Sequence, residues 1–255
     1  MKKIRNGKKG LLLLALTFML TLMFGMTTMA AAKTVSLSNN KWYTDKSTDF
    51  KRPAVYHKIR IPRSGLITVT GYTYSNYSTY RSTLEVQLYN SKKKPLQKYK
   101  KYTASYNYKT YYAVKKGVYY IKTQDNRYKL KYSFKAVSDN SGSSKAKART
   151  INKNKLTKGL LVAGEKGSKV DWYKIVLTKP QNLKITYSAL ANELIQFKII
   201  PDSTNILISN SSAFLRNNKQ IFSSRSAFPA GTYYIQVFRY GNSTDCSGYY
   251  TLKWK

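Results

Sequence analysis

The sequence predicts an all-β protein in which two tandem antiparallel β-sandwich domains, jelly-roll-like in type, follow a signal peptide. Three observations predict this fold class. Short segments such as LITVTGY alternate their side chains with a period of two, and Gly, Pro and Asn separate them at regular intervals. The exported part of the chain has no stretch with a helical stripe. Three blocks of sequence recur in the same order about a domain's length apart.

Residues 1–32 have the parts of a secretory signal peptide. Five basic residues and no acid occupy the first ten positions, and a 16-residue apolar run, Leu11–Met26, follows. The run is shorter than the roughly 20 residues that cross a bilayer as a helix, which disfavours the alternative of a retained membrane anchor. We expect cleavage between Ala30 and Lys33, and a secreted, extracellular product that associates with the cell wall.

The exported part is strongly basic. Five of the 46 Lys and Arg residues lie in the leader, which leaves 41 against ten Asp and Glu residues and a net charge of +31. Such a protein attracts polyanions of almost any kind. Export excludes cytoplasmic nucleic acid and leaves wall polymers, acidic polysaccharides, anionic lipid headgroups and extracellular nucleic acid. A single cysteine excludes an internal disulfide, and this composition is typical of a Gram-positive exporter.

Two copies of one unit account for most of the exported chain. VYHKIRIPRSGLITVTGYTYS from Val55 parallels DWYKIVLTKPQNLKITYSALA from Asp171, an offset of 116 residues, and two later blocks repeat at offsets of 111 and 114. Domain one is therefore predicted over 40–137 and domain two over 151–255. The polar, basic stretch 138–150 between them is predicted to be a flexible linker.

The repeated stretches KGVYYIK at 116–122 and AGTYYIQ at 230–236 are predicted to be equivalent structural corners. The glycine makes the turn, and the residues after it begin a strand. Alternation then places Tyr233, Ile235 and Val237 on one face, as it places Ile67 and Val69 together in domain one.

These blocks resemble the bacterial pre-peptidase C-terminal (PPC) domain, a small β-sandwich module. Domain two resembles the family through its opening DWYKI at 171–175 and its closing FPAGTYYIQV at 228–237, followed by Gly248, Tyr249 and Leu252. Domain one departs from the pattern, because Val55 stands where the family often has Asp and the glycine before the last strand is missing. The resemblance implies an accessory module of secreted peptidases, and related domains of clostridial collagenases bind collagen.

The resemblance also suggests calcium as a ligand, because some relatives bind calcium through clustered acids. Acids are sparse here, with Asp45 and Asp49 near the start of domain one and Glu165 and Asp171 near the start of domain two. Calcium takes six to eight oxygen ligands, commonly from several carboxylates. We therefore predict no cofactor, with calcium as the less favoured alternative.

A catalytic centre has few candidate residues. His57 and Cys246 are the only histidine and the only cysteine, and they lie at non-equivalent positions of different copies. We predict that His57 is an ordinary strand residue and Cys246 an exposed turn residue. A zinc set would need more histidines or cysteines, and GEKGSK at 164–169 is predicted to be a hairpin turn, because it lacks phosphate-loop spacing. The sequence therefore predicts no enzyme.

The candidate ligand-binding residues lie in domain one, which holds 17 of the 24 tyrosines. Lysine and tyrosine interleave from Lys98 to Lys122, and aromatic rings beside cations suit polysaccharides, collagen-like proteins and polyanions. Tyr119, Tyr120 and Tyr132 are predicted to be core or edge residues; for the others, binding and a structural role both stay open. The candidates are Lys92, Lys93 and Lys94, in an exposed turn, and Tyr99, Lys100, Lys101, Tyr102, Tyr106 and Tyr108.

The sequence as a whole predicts a secreted, non-catalytic binding or adhesion protein. Its basic, tyrosine-rich modules would bind an anionic cell-wall polymer or polysaccharide outside the cell. The alternative is an accessory module that binds an extracellular matrix protein of collagen-like type, or that partners a secreted peptidase.

Overall fold

The computed structural model describes residues 32–49, 51, 53–75, 78–98, 101–102, 109–202, 208 and 212–255. The described strands belong to one compact unit, Lys33–Lys255. The predicted signal peptide therefore lies, except for Ala32, outside the described residues. Within those residues, no helix has the length and apolar character needed to cross a membrane.

Domain one consists of two packed sheets. One has the strand order β1-β3-β9-β6-β7, and the other has the order β2-β10-β4-β5, with β8 also paired to β4. β1 pairs with β3 in parallel, and the neighbouring strands β3 and β9 are antiparallel. The strands are β1 Thr34–Ser36, β2 Tyr43–Thr44, β3 Val55–Ile61, β4 Gly65–Ser75, β5 Ser78–Ser82, β6 Glu85–Tyr89, β7 Lys101–Tyr102, β8 Lys109–Val114, β9 Gly117–Thr123 and β10 Tyr128–Ala136.

Domain two repeats this topology strand for strand. Its sheets have the orders β11-β13-β18-β15-β16 and β12-β19-β14-β17, and among the described strands only β5 of domain one has no counterpart. The predicted all-β sandwich class is confirmed. The strands are β11 Arg149–Thr150, β12 Thr157–Leu161, β13 Val170–Leu177, β14 Lys184–Ala191, β15 Ile195–Pro201, β16 Ser212–Leu215, β17 Lys219–Ser223, β18 Gly231–Arg239 and β19 Gly248–Trp254.

Alternation along the strands builds each core. In β3, VYHKIRI, the first, third, fifth and seventh side chains are buried, while Tyr56, Lys58 and Arg60 point outward. Since successive residues of a strand face opposite sides of its sheet, this pattern buries one row and exposes the other. In β4, Ile67 and Val69 lie in the core, as predicted.

A hydrogen-bonded polar pair lies at the same place in both cores. In domain one, Nε2 of His57 lies 2.8 Å from the Tyr128 hydroxyl. In domain two, the Tyr173 and Tyr250 hydroxyls are 3.0 Å apart. A Cβ on Gly159 would come within 2.1 Å of the Tyr250 hydroxyl oxygen, so only glycine leaves room for this pair. His57 is therefore an ordinary residue of its strand, as the sequence predicts, and the structure places it in the core.

The repeated Gly-x-Tyr-Tyr-Ile stretches form equivalent corners. The first tyrosine of each pair faces inward, and its hydroxyl donates to the carbonyl four residues before it: Tyr119 to Lys115 at 3.0 Å, and Tyr233 to Pro229 at 2.9 Å. The second tyrosine, Tyr120 or Tyr234, lies on the outer face of its sheet, half-buried among neighbouring side chains. The predicted structural role thus holds for the first ring of each pair.

Residues 138–150 lie along the edge of domain two. Gly142 and Trp172 exchange two backbone hydrogen bonds of 3.0 and 2.9 Å, and β11 continues this edge by pairing in parallel with β13. Lys145, from the same stretch, pairs with Asp202 at 2.8 Å. The segment predicted to be a linker therefore supplies part of the first sheet of domain two.

An apolar interface joins the two sandwiches. Buried side chains of β4 and β8 meet those of β12 and β19, and the Ser247 hydroxyl accepts a hydrogen bond from the Ala113 N–H at 2.9 Å. Nε2 of Gln97 also donates to the Asp245 carbonyl at 2.8 Å. The interface cluster consists of Leu66, Ala113, Val137, Leu160, Val162 and Tyr249.

The turn that contains Cys246 corrects one prediction. Cys246 was expected to be exposed, but it is buried in the core of domain two, where its thiol contacts the Leu194 carbonyl at 3.4 Å. The reason is Arg239, whose fully buried guanidinium donates to the Cys246 carbonyl at 2.8 Å and to the Val162 carbonyl at 2.7 Å. These bonds draw the polar turn inward.

Candidate functional site

The outer face of the β1-β3-β9-β6-β7 sheet carries alternating tyrosines and cations. The strand register places Tyr56 opposite Lys122, and Lys58 opposite Tyr120. Arg60 extends the row along β3, and Lys93 reaches it from the turn after β6. We call Tyr56, Lys58, Arg60, Lys93, Tyr120 and Lys122 the Tyr56 face.

The rings of this face form an edge-to-face cluster. The Tyr56 ring centre lies 5.4 Å from that of Tyr89, at 85°, and 6.2 Å from that of Tyr120, at 87°. The Lys93 ammonium lies 4.7 Å from the Tyr56 ring centre and 5.4 Å from that of Tyr120. The Lys122 ammonium approaches Tyr56 at 6.0 Å. Ring faces attract cations, so the rings hold both ammonium groups in defined places.

The three-lysine turn is fixed by Asn90. Its side-chain oxygen accepts the backbone N–H groups of Lys92 and Lys94, both at 3.0 Å. Lys93 between them has a left-handed backbone with φ of 53°, and its ammonium donates to the Thr34 hydroxyl at 3.0 Å. The turn therefore directs Lys93 onto the tyrosines and leaves Lys92 and Lys94 exposed.

Domain two has the same ring pair with different electrostatics. Trp172 and Tyr234, at the positions of Tyr56 and Tyr120, meet edge to face at 6.2 Å and 80°. Lys145 lies 4.7 Å above Tyr234, but its ammonium also pairs with Asp202, which follows β15 where the lysine turn follows β6. Residues 33–137 contain 23 Lys and Arg against four acids, whereas residues 151–255 contain 15 against five. The excess of positive charge is therefore larger in domain one, although Lys174 of domain two lies opposite Tyr234 as Lys58 lies opposite Tyr120.

The predicted site residues fall into two groups. Lys93 belongs to the Tyr56 face, and Lys92 and Lys94 are its neighbours in the same turn. Lys101 and Tyr102 form β7, which pairs with β6 at the edge of the same sheet. The remaining candidates, Tyr99, Lys100, Tyr106 and Tyr108, lie outside the described residues.

Sequence reasoning missed the strand residues of the face. Tyr56, Lys58 and Arg60 were treated only as part of a repeat block, although the alternation of VYHKIR already assigned them to one side of a strand. Tyr120 was expected in the core or at an edge, and it stands on the outer face. Among the predicted core tyrosines, Tyr132 is buried.

The structure separates the two residues with catalytic potential. His57 is enclosed in domain one between the Tyr43 and Tyr128 rings, and Cys246 belongs to the core of domain two. A groove of about 350 Å³ lies at one end of domain one, and its lining has no acid, histidine or cysteine. It is lined by Asn39, Arg60, Ile61, Pro62, Tyr132 and Phe134.

Glu165, near the start of domain two, has cationic partners within the protein. Within the described residues, no three His, Cys, Asp or Glu side chains are grouped closely enough to hold a metal. Glu165 is paired with Lys115 at 3.3 Å, Lys169 at 3.1 Å and Arg239 at 3.6 Å. Burial opposes its ionisation, but the neighbouring lysines still hold the pKa of Glu165 below its ordinary value. This carboxylate is already neutralised by the protein.

Asp171 is the other acid of this region. It is buried and accepts a hydrogen bond from the Tyr250 hydroxyl at 2.7 Å, with the Lys169 ammonium at 3.7 Å. Burial and the charge of Asp139 raise the pKa of Asp171 to about 6, against the opposing effects of Tyr250 and Lys169. Its role is to complete the polar core pair of domain two, where domain one has Val55.

Comparison with known proteins gives distant structural likenesses. The chain is similar to the pre-peptidase C-terminal domain of a collagenase from Bacillus anthracis, with 21% identity, a TM-score of 0.30, and coverage of 48% of this chain and 100% of that one. It is also similar to the CUB1-EGF-CUB2 domain of human MASP-1/3, at 9% identity and a TM-score of 0.23, over 84% of this chain and 99% of that one. No family model matches the chain, and no curated protein matches it.

Proposed function

We propose that the chain from Lys33 onward is a secreted, non-catalytic binding protein that holds linear anionic polymers of the cell wall. Its two sandwiches are tandem modules of the PPC type, and domain one carries the binding site on the Tyr56 face. The lysines and Arg60 neutralise phosphate or carboxylate groups along the polymer, while Tyr56 and Tyr120 supply contact area and hold the ammonium groups in position.

The observation that carries this proposal is the contrast between the two copies. Both keep an edge-to-face ring pair with a lysine above it. In domain two an aspartate neutralises that lysine, and Val176 and Gln236 stand where domain one has Arg60 and Lys122, although Lys174 is kept at the position of Lys58. A fold that needed only the ring pair for stability would not require this accumulation of one sign of charge, which costs self-repulsion.

The experiment compares binding to purified cell walls at about 0.05 and about 0.5 M salt, by co-sedimentation, because ionic contacts to a polyanion weaken steeply as salt rises. The Tyr56-face variant carries Lys58→Gln, Lys93→Gln and Lys122→Gln. Its control carries Lys155→Gln, Lys179→Gln and Lys184→Gln, which remove the same charge from exposed sites of domain two.

The proposal predicts that salt releases the wild-type protein and that the Tyr56-face variant binds less than the control at low salt. Equal sedimentation at both salt concentrations contradicts an electrostatic mechanism. Salt-resistant, saturable binding to a collagen-like protein in place of walls would favour the matrix-binding alternative.

A further inference from the structure

A second cationic and aromatic face lies on the opposite sheet of domain one. The register of β10, β4 and β8 places Lys131, Thr70 and Lys109 in one row, all directed away from the core. Lys129 lies opposite Tyr72 in the next outward row. We call Trp42, Tyr72, Lys109, Lys129 and Lys131 the Trp42 face.

The chemistry of this face repeats that of the Tyr56 face without any sequence repeat between them. Trp42, 46% exposed, meets Tyr72 edge to face at 5.9 Å and 65°. The Lys131 ammonium lies 4.8 Å from the Trp42 ring centre, and the Arg81 guanidinium lies 4.6 Å from that of Tyr72. Rings and cations are thus paired on both outer surfaces of the same sandwich.

The two faces stand on opposite sides of one core. Packed sheets are about 10 Å apart, so with side chains on both outer surfaces the faces are separated by roughly 20 Å. Domain two covers the end of the second sheet where Leu66 and Ala113 are buried in the interface, and Tyr111 packs against the same cluster. The lysines of the Trp42 face lie in the rows farther along β4 and are partly exposed.

We propose that domain one is a cross-linker that holds two separate polyanion chains, one on each face. This rests on the proposed function, because the Tyr56 face must bind such a polymer for a second face to bridge it to another. The occupant of both faces is a linear polymer of phosphate groups. The cations of both faces complement the negative charge along such a chain, and lysine ammonium groups bind phosphate as point charges.

The test measures binding and bridging separately, with long-chain inorganic polyphosphate as the probe. Binding of the Lys33–Lys255 chain to immobilised polyphosphate gives affinity, and light scattering of protein mixed with polyphosphate in solution gives bridging. The Trp42-face variant carries Lys109→Gln, Lys129→Gln and Lys131→Gln. It is compared with the Tyr56-face variant and with the domain-two control described above, which has the same net charge.

We expect mixtures of polyphosphate with wild-type protein, or with the domain-two control, to scatter light strongly. As the protein concentration is raised, the scattering should pass through a maximum and fall once protein is in excess. Each single-face variant should still bind the immobilised polymer, with an affinity lower by roughly tenfold, but should scatter no more than polymer alone, since one attachment cannot bridge. A short oligophosphate should bind the wild-type protein without raising scattering.

Distinct outcomes overturn the two proposals. Wild-type protein that binds tightly but never scatters, or a Trp42-face variant that scatters like the wild type, contradicts cross-linking and leaves the proposed function intact. Scattering by wild-type protein mixed with the short oligophosphate would assign bridging to self-association and would also contradict it. Failure of wild-type protein to bind either polyphosphate or cell walls contradicts the proposed function itself.

Discussion

At the scale of single residues, the two domains differ in a buried carboxylate, which domain two has at Asp171 and domain one lacks at Val55. Asp171, Tyr173 and Tyr250 form a hydrogen-bonded set in domain two, and domain one has Val55, His57 and Tyr128 at the same places. Because Asp171 is buried, its protonated form is favoured in the folded state, which raises its pKa to about 6. The free energy of unfolding should therefore depend on pH in a way that shows the raised pKa of Asp171.

The prediction concerns Asp171→Asn and pH. The folded-state pKa of Asp171 lies above the unfolded value near 4. The contribution of the protonated Asp171 side chain to folding stability is therefore fully present below pH 4 and is lost as pH rises through about 6. We expect the variant to unfold with about wild-type free energy near pH 3.5 and to be more stable by about 2–3 kcal/mol at pH 7, since a tenfold change in proton affinity is worth about 1.4 kcal/mol.

Urea denaturation across this pH range measures the difference. Asp202→Asn is the control, because Asp202 is half-exposed and paired with Lys145, and it should change little with pH. A wild-type-to-variant difference that stays constant from pH 3.5 to 7 would contradict the assignment of a raised pKa to Asp171.

A second residue-scale prediction uses the equivalence of Tyr120 and Tyr234. Tyr120→Ala should weaken binding to an anionic polymer about 2- to 5-fold, because an exposed cation–ring contact is worth about 0.5–1 kcal/mol and Lys93 loses one of its two rings. Tyr234→Ala removes the same side chain from domain two and should leave the affinity unchanged. Equal losses of affinity for the two variants, in surface-binding measurements, would contradict the assignment of the binding site to domain one.

At the scale of elements, alternation was the informative signal. The order of residues in LITVTGY and YYIQV predicted which side chains share a face, and the burial of Ile67 with Val69, and of Tyr233, Ile235 and Val237, confirms it. Alternation does not show which outward-facing side chains form a binding face, because that depends on the residues of the neighbouring strand. Lys122 meets Tyr56 only through the β3–β9 register, and Lys93 joins them only because Asn90 fixes its turn.

The corner at the start of β18 gives a prediction at this scale. Tyr233→Phe removes the hydroxyl that donates to the Pro229 carbonyl and should lower the free energy of unfolding by about 0.5–1.5 kcal/mol, the usual net worth of one hydrogen bond. Tyr234→Phe, one position later on the outer face, should cost little. Denaturant midpoints of the two variants test it, and equal midpoints would contradict a structural role for this corner.

At the scale of the whole molecule, the two sandwiches share a buried interface that the sequence did not predict. Its apolar residues come from both domains, and periodicity within a strand does not show which side chains of another domain that strand contacts. The turn 243–247 shows the same limit: its polar composition predicted exposure, but the buried Arg239 guanidinium donates to its Cys246 carbonyl. Partners distant in the chain decide both features.

The interface predicts joint unfolding. The Lys33–Lys255 chain should show one calorimetric transition, and Leu160→Asp, which buries an unpaired charge between the domains, should split or broaden it. Leu156→Asp makes the same change at a leucine that is 55% exposed and should keep the single transition. Two resolved transitions in the wild-type protein would show that the domains are energetically independent.

The central claim is that the Tyr56 face supplies the ionic contacts to a linear polyanion. The most direct measurement is the slope of log Kd against log salt for the wild-type chain, the Tyr56-face variant and the domain-two control. Each ammonium group that contacts a phosphate adds about one to the slope. We expect a slope lower by about three for the Tyr56-face variant and an unchanged slope for the control. Identical slopes for the two variants would contradict it.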